Sequence, residues 1–497
     1  MRRLTAILLA VMMMTVLCTA ATAEDTFTMA GFDGDNVGHD WKTNKFFERM
    51  QEKTGIAFEF QQYTDYDVYA KAKDMLLSEG NMPDVLFKAE LDAHETLKYY
   101  NAGKIIDLKP YIQEYAPNLH ALLSANPEWE KAITLPDGAI AALPNLNQLQ
   151  NNNAMWINTA WLKNLKLDMP QNAEQLTEVL RAFRDGDPNR NGKADEIPLT
   201  FIGMWDLRWL AHAYGIVSND YYLTADENGN VSEVITTDEF RAFLEWLHLL
   251  WDERLIDHAG FSGNSSMRQI TDTNQPMTYG VMLATTPLLV VPSASLDQYS
   301  MLEPLEYNGR RVYRDLLGEV VRGTFAVTSA CKDPAKLIAW VDYLYTEEGS
   351  RLAQCGEEDT EYFWNENGQW EWMSDQATVA NSVLPEATIS EGGNAPGLTS
   401  AEFQLSYADE MTHTALEQLQ TLGQYSVLPY PPVYPDEETT AKINAIQTKV
   451  ADYAENTMAC FVTGDIKLND DTWNEFCEQV RANGIDELAQ LFADLLK

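Results

Sequence analysis

The chain has 497 residues, 45% hydrophobic and 11% aromatic, enough to bury one large core or two moderate ones. Its formal net charge is -40. That field repels phosphate backbones and anionic lipid, which argues against nucleic acid and membrane-surface partners, and it also disfavours polyanionic ligands.

The chain opens MRRLTAILLAVMMMTVLCTAATAED: two arginines, an uncharged apolar run, then Ala21-Thr22-Ala23. This reads as a secretory signal peptide over 1–23, with an uncleaved anchor helix as the alternative. Losing Arg2 and Arg3 with the leader takes the charge to -42. Leu17 before Cys18 does not fit the small residue that lipid attachment needs. The expected location is therefore outside the cytoplasm, periplasmic or extracellular.

From residue 26 the pattern alternates. A strand over 26–31, a helix over 41–55 ending on Gly55, a strand over 56–63, a helix over 66–80 and a strand over 83–87 predict right-handed crossovers and a largely parallel sheet. A second series starts with a strand over 154–158. Asn172 with Gln175 is a capping-box-like start, and Leu176, Val179, Leu180 and Phe183 share one face of a helix over 172–184. A strand over 197–202 follows, then helices to about 256.

Further on, a strand over 324–329 precedes a helix opened by Asp333-Pro334. The C-terminal part is helical, with stripes at Ile443, Ile446, Val450 and Tyr453, and at Leu488, Leu491, Phe492 and Leu495. The fold class is α/β with two lobes. Four cysteines remain after the leader: Cys331, Cys355, Cys460 and Cys477. Without a C-x-x-C they suggest no zinc site, and pairing stays open; Cys477 lies on the apolar stripe Trp473, Phe476, Val480, as a small buried hydrophobe would.

Between the helix ending at 184 and the strand beginning at 197 lies DGDPNRNGKADE (185–196). A calcium cage takes oxygen ligands at alternate positions of a tightly curled loop, with glycine where it turns sharply. Counting from Asp187 places Asp187, Asn189 and Asn191 at positions 1, 3 and 5, Gly192 at 6, the Lys193 carbonyl at 7 and Asp195 at 9. Pro198 stands where a bidentate Glu is usual, and Glu196 reaches the ion from the opposite side instead. The competing reading is a solvated Asx-rich turn. A metal whose positions are all filled by protein has no open site for substrate, so the ion is structural.

Enzyme motifs fail on inspection. His94-Glu95 is followed by Lys98 where a zinc protease needs a second histidine, and GFSGN (260–264) ends in Asn where a nucleophile elbow needs Gly. A calcium-stabilised glycoside hydrolase or polysaccharide lyase remains the alternative, since 75 acidic residues supply carboxylate pairs in any fold.

The run MWINTAWLKNLKLDMPQNAEQLTEVLRAFRDGDPNRNGKADEIPLT (155–200) resembles family 1 extracellular solute-binding proteins, the receptors of ABC transporters, in the subgroup that includes alginate-oligosaccharide-binding proteins. GTFAVTSACKDPAKLIAWVDYLYTEEGSRLAQCGEEDTEYFW (323–364) and the closing helices from YAENTMACFVTGD onward are similar to the same family. Two positions depart from its pattern: Asn158-Thr159-Ala160 stands for Arg-Lys-Asp, and Cys355 stands for a Tyr.

The resemblance implies a type II periplasmic-binding-protein-like fold with the ligand cleft between lobes. It implies crossings near 149, 296 and 345, giving lobe I over 24–149 and 296–345, and lobe II over 150–295 and 346–497. In the subgroup the calcium loop is structural, and its ligands map onto Asp187, Asn189, Asn191, Lys193, Asp195 and Glu196. The implied function is binding of a small solute, an oligosaccharide foremost, by hinge closure of a monomer that presents its closed form to a membrane permease.

Sugars offer hydroxyls to polar side chains and flat C–H faces to aromatic rings. Trp205 follows the strand over 197–202 at its carboxyl end, where α/β sheets place ligands. Phe32, Asp33 and Asp35 occupy the same place in the other lobe. Trp156 and Asn158 beside a crossing, and Trp364 ahead of a hairpin-like ENGQWEW segment, complete the candidates; Trp209 reads as core.

Overall fold

The structure, a computed structural model, describes residues 25–35, 39–78, 80, 82–149, 152–262, 275–315 and 320–497; the expected leader lies outside them. The first lobe is built on six strands. They are β1 (Asp25–Phe32), β2 (Ile56–Tyr63), β3 (Val85–Phe87), β4 (Leu143–Asn147), β9 (Val320–Val327) and β12 (Gly397–Thr399), in the order β12-β4-β9-β3-β1-β2. β1 runs parallel to β2 and β3, while β9 is antiparallel to β3 and β4. The second lobe has four: β5 (Ala154–Asn158), β6 (Ile197–Thr200), β7 (Tyr279–Ala284) and β8 (Tyr299–Leu302), in the order β8-β5-β7-β6. Between β9 and β12 come two short strands of a hairpin, β10 (Tyr362–Trp364) and β11 (Trp370–Trp372).

Side chains alternate across each sheet. Phe27 and Met29, Val85 and Phe87, Phe325 and Val327 enter one core layer; Ala30 and Phe32, Leu86 and Ala326 enter the other. In the second sheet Met155, Ile157, Val281 and Leu283 face the largest cluster, and Ala154, Trp156, Met282 and Ala284 face a smaller one. Both faces of both sheets are covered, which is why the strands read as nearly continuous apolar runs. At Gly31 an added Cβ would stand 1.6 Å from the Phe87 carbonyl oxygen, so β1 and β3 approach as only glycine permits.

The helix of α1 (Lys45–Thr54) begins four residues later than 41, because Asn44 caps it by accepting from the Phe46 N–H while Trp41 turns into the core. The helix expected over 172–184 is Ala173–Asp185, capped by Asn172.

Chain tracing corrects the expected division of the lobes. Residues 299–302 pair with β5 in the second sheet, and the return to the first sheet comes at Val320. Residues 346–399 stay with the first lobe: Leu352, Ile389 and Leu398 are buried in its core, and β12 pairs with β4. After 149 the chain is therefore still with the second lobe at Arg314, is back in the first sheet at Val320, and leaves the first lobe for good after β12. Pairing partners far apart in sequence decided this, and local pattern does not encode them.

Among the described residues the four cysteines are free, and burial pushes the Cys331 thiol up to about 11. No helix among those residues is long and apolar enough to cross a membrane.

Candidate functional site

The connections between the lobes leave both sheets from matching edges. β4 ends and β9 begins on the edge where β1, β2 and β3 end. In the second sheet β5 begins opposite Ala284, the last residue of β7, beside the carboxyl end of β6. The carboxyl ends of the parallel strands thus face one another across a crevice, the usual ligand position in open α/β sheets.

On the second lobe this places Trp205 in the short helix Gly203–Leu207, just beyond β6. Trp205 is 48% exposed, unusual for so large an apolar residue. It stands edge to face against buried Trp209 at 6.0 Å, Trp209 packs on Tyr313 at 5.8 Å, and the Arg314 guanidinium lies 5.4 Å over the Trp209 ring. Trp209 is core, as its spacing suggested. The exposed ring is the end of a supported aromatic column.

The neighbouring Asp206 is buried; its carboxylate accepts the Ile202 N–H at 2.7 Å, and burial raises its pKa to about 6. A carboxylate raised in the fold binds protons that the unfolded chain releases, so its cost to stability is absent below about pH 4 and complete above about pH 6. We expect Asp206→Asn to stabilise the protein at pH 7 by about 1–2 kcal/mol. The gain should vanish at pH 4 and below in paired denaturant titrations.

On the first lobe the expected contacts fall into a different arrangement. Asp33 is buried; its carboxylate accepts the Lys88 ammonium at 2.6 Å and the Gln62 amide at 2.9 Å, and lies 3.1 Å from His39 Nδ1. Lys88 is fully buried too, and burial pulls its pKa below the ordinary lysine value against the pull of Asp33. Asp33 is therefore a brace with its lone pairs spoken for, not a ligand contact. Lys88 also donates to the Glu391 carbonyl at 2.6 Å, pinning the 390–394 segment over the ends of β1 and β3. Gly392 there has φ +81, and a Cβ would stand 1.6 Å from the Asp33 carbonyl oxygen.

Phe32 and Asp35 support a residue that sequence reasoning missed. Asp35 accepts the Tyr66 N–H at 2.7 Å, and Phe32 packs against the Tyr66 ring at 5.3 Å, edge to face. Tyr66, 44% exposed, opens the helix Tyr66–Leu76 directly after β2. Its place one turn beyond a strand end was the available signal.

Two other candidates, Trp156 and Asn158, require correction, and Trp364 lies elsewhere in the first lobe. Trp156 is 1% exposed, with its indole N–H donating to the Ala284 carbonyl at 2.9 Å. Asn158 is fully buried and caps the next helix by accepting the Trp161 N–H. β5 runs antiparallel to β7, so Asn158 lies at the end of the sheet away from the crevice. Trp364 is half-buried against Phe403 at 5.9 Å; the hairpin exists, and its tryptophans pack in a small cluster with Phe403 and Tyr407.

The 185–196 loop precedes β6, at the opposite end of that strand from Trp205. Asp187 and Arg190 adopt left-handed backbone conformations, with φ +46 and +58, as does Gly192 at +73. The Asp187 carboxylate accepts the N–H groups of Asn191 and Gly192, and Asn191 accepts the Lys193 N–H at 2.7 Å. The Asn189 and Asn191 amides point at the Asp195 carboxylate, at 3.1 and 2.9 Å. Glu196 Oε1 is buried with no hydrogen-bond partner, and burial, then the charges of Asp195 and Asp187, raises the Glu196 pKa. Among the described residues no three His, Cys, Asp or Glu side chains gather as a metal group. The loop's oxygen set instead mixes carboxylates with amide and main-chain oxygens. Glu196 Oε1 is the one oxygen of this set left buried without a hydrogen-bond partner.

Two sheet-based lobes connected at the carboxyl ends of their parallel strands define a two-lobed solute-binding protein of the type II periplasmic class. Residues 39–351 match the bacterial extracellular solute-binding protein family, and the chain belongs to it. Over 466 residues it is 26% identical to the fructooligosaccharide ABC transporter substrate-binding protein FusA of Streptococcus pneumoniae, covering 88% of this chain and 84% of that one. The fold matches an EF-hand mutant of FusA in complex with fructo-nystose (TM-score 0.69, 22% identity, 95% and 98% coverage). It also matches a solute-binding protein of Bifidobacterium longum infantis described as binding HMO (TM-score 0.76, 19% identity, 95% and 98% coverage).

Proposed function

We propose that this protein is the exported receptor of an ABC importer and binds an oligosaccharide between its lobes, delivering it by hinge closure to a membrane permease. The observation that carries this reading is Trp205: a large ring held exposed at the carboxyl end of the second sheet, stiffened by Trp209 and Tyr313. A pre-set flat surface suits the C–H face of a sugar ring and costs little entropy on binding. The relatives described as carrying fructooligosaccharide and HMO support the ligand class.

Asp187, Asn189, Asn191, the Lys193 carbonyl, Asp195 and Glu196 would hold calcium as a structural brace between the helix Ala173–Asp185 and β6. The ion would supply charge neutralisation for three carboxylates and no catalysis.

Isothermal titration of the purified protein with kestose and with milk oligosaccharides tests the reading. One sugar should bind stoichiometrically and be recovered unchanged, and Trp205→Ala should weaken it by about 2 kcal/mol, roughly 30-fold, with an unaltered Tm. Recovery of cleaved sugar would favour the hydrolase or lyase instead.

A further inference from the structure

The first lobe carries a second exposed ring whose surroundings differ in charge from those of Trp205. Tyr66 begins its helix at the carboxyl end of β2, so it stands on the crevice side of its own sheet, as Trp205 does on the other. It too ends a supported column: Tyr66 stands edge-on to Phe32, Phe32 stacks on Tyr69 at 6.0 Å and 16°, and the Tyr69 hydroxyl donates to the Ala89 carbonyl at 2.8 Å. Its backbone is fixed as well, through Asp35. Tyr66 and Trp205 are the two most exposed aromatics among the exposed large apolar side chains of the described residues, after which comes Tyr115 at 38%.

The fringe of Tyr66 is acidic. Lys73, on the Tyr66 helix and 5.6 Å over the Tyr69 ring, donates to the Glu90 carbonyl at 3.0 Å, which brings Glu90 to this end of the helix; burial first, then the charges of Glu95, Glu90 and Asp92, raise the Tyr66 phenol pKa. Lys73 pairs with Glu95. The Glu90 carboxylate is held by the N–H and side-chain amide of Asn394, and Asp92 caps the helix Ala93–Asn101. Lys73 is paired with Glu95 and the neighbouring Lys88 with Asp33, which leaves Glu90 and Asp92 in excess, so a ligand carboxylate on this ring would meet like charge. The second lobe differs: Arg208 lies 5.1 Å over the Tyr222 ring, and Arg314 pairs with Asp220.

We infer that Tyr66 is the first-lobe stacking surface opposite Trp205, and that its carboxylate fringe makes this subsite select an uncharged glycosyl unit over a uronate. The inference rests on the receptor reading above and narrows its ligand to a neutral oligosaccharide at the first lobe. Closure would clasp the sugar between Tyr66 and Trp205, which ties affinity to the closed state.

The test is calorimetric titration of wild type, Tyr66→Ala, Tyr66→Phe and Trp205→Ala with kestose, a neutral milk tetrasaccharide and trigalacturonate, at low and high salt. Tyr66→Ala should weaken the neutral ligand roughly tenfold while Tyr66→Phe stays within about twofold, since the ring face does the stacking. Salt should leave neutral binding unchanged and relieve part of the discrimination against trigalacturonate. Loss of binding in Trp205→Ala with none in Tyr66→Ala would overturn the inference and leave the receptor reading standing. Tighter binding of trigalacturonate than of either neutral sugar would do the same, assigning recognition to the Arg208 side. If wild type bound no oligosaccharide and carried none on purification, the receptor reading itself would fail, and the inference with it. Thermal unfolding of each variant separates lost contact from lost fold.

Discussion

Lys88→Met should destabilise the protein by about 3–5 kcal/mol, the largest effect of any single change considered, although Lys88 touches no solvent. The Lys88 and Asp33 side chains are 0% and 2% exposed and 2.6 Å apart. Removing the ammonium leaves a carboxylate in the floor of the cleft with Gln62 and His39 as its remaining side-chain partners, and neither carries Lys88's fixed charge. It also frees the Glu391 carbonyl and so unpins the 390–394 segment. Denaturant unfolding measures the loss. Adding Asp33→Asn should return most of it, because the pair then leaves no buried charge uncompensated. A single variant within 1 kcal/mol of wild type would mean that water reaches this pair, and the brace would have to be abandoned.

Chelation should come next in size. If the loop holds calcium at about a hundred times its Kd, stripping the ion removes about 2.7 kcal/mol, and Tm should fall by about 3–5 °C. Calcium should restore it and magnesium should not, since six protein oxygens suit the larger ion while magnesium keeps more of its water. Glu196→Gln should abolish most of the calcium response, because Oε1 of Glu196 is the orphaned oxygen in the loop. Sugar affinity should change little, for the loop and Trp205 lie at opposite ends of β6. A chelator that leaves the melting curve unmoved would reduce the loop to a solvated turn.

Much of this molecule was legible from the chain alone, wherever the determinant was local. The 3.6-residue stripe of Leu176, Val179, Leu180 and Phe183, capped by Asn172, is a helix because its neighbours in sequence satisfy it. The alternate-position spacing from Asp187 to Asp195 sets which oxygens can turn inward on a short loop. The place of Trp205 just beyond its strand is local in the same way, and the structure leaves it exposed there.

Tertiary structure alone decided the rest. Phe32, Asp33 and Asp35 were the candidates past the end of β1; only the arrival of Lys88, 55 residues from Asp33, turns that acid inward, and Tyr66 beyond β2 is left as the exposed ring. Asn158 fell at the wrong end of its sheet because strand direction relative to a partner more than 100 residues distant is not written in either strand. The lobe boundaries moved because β12 pairs with β4 across some 250 residues. Hydrogen-bonding edges accept any strand of suitable length, and the choice among them is made by the burial of whole layers, a free energy that no local window contains.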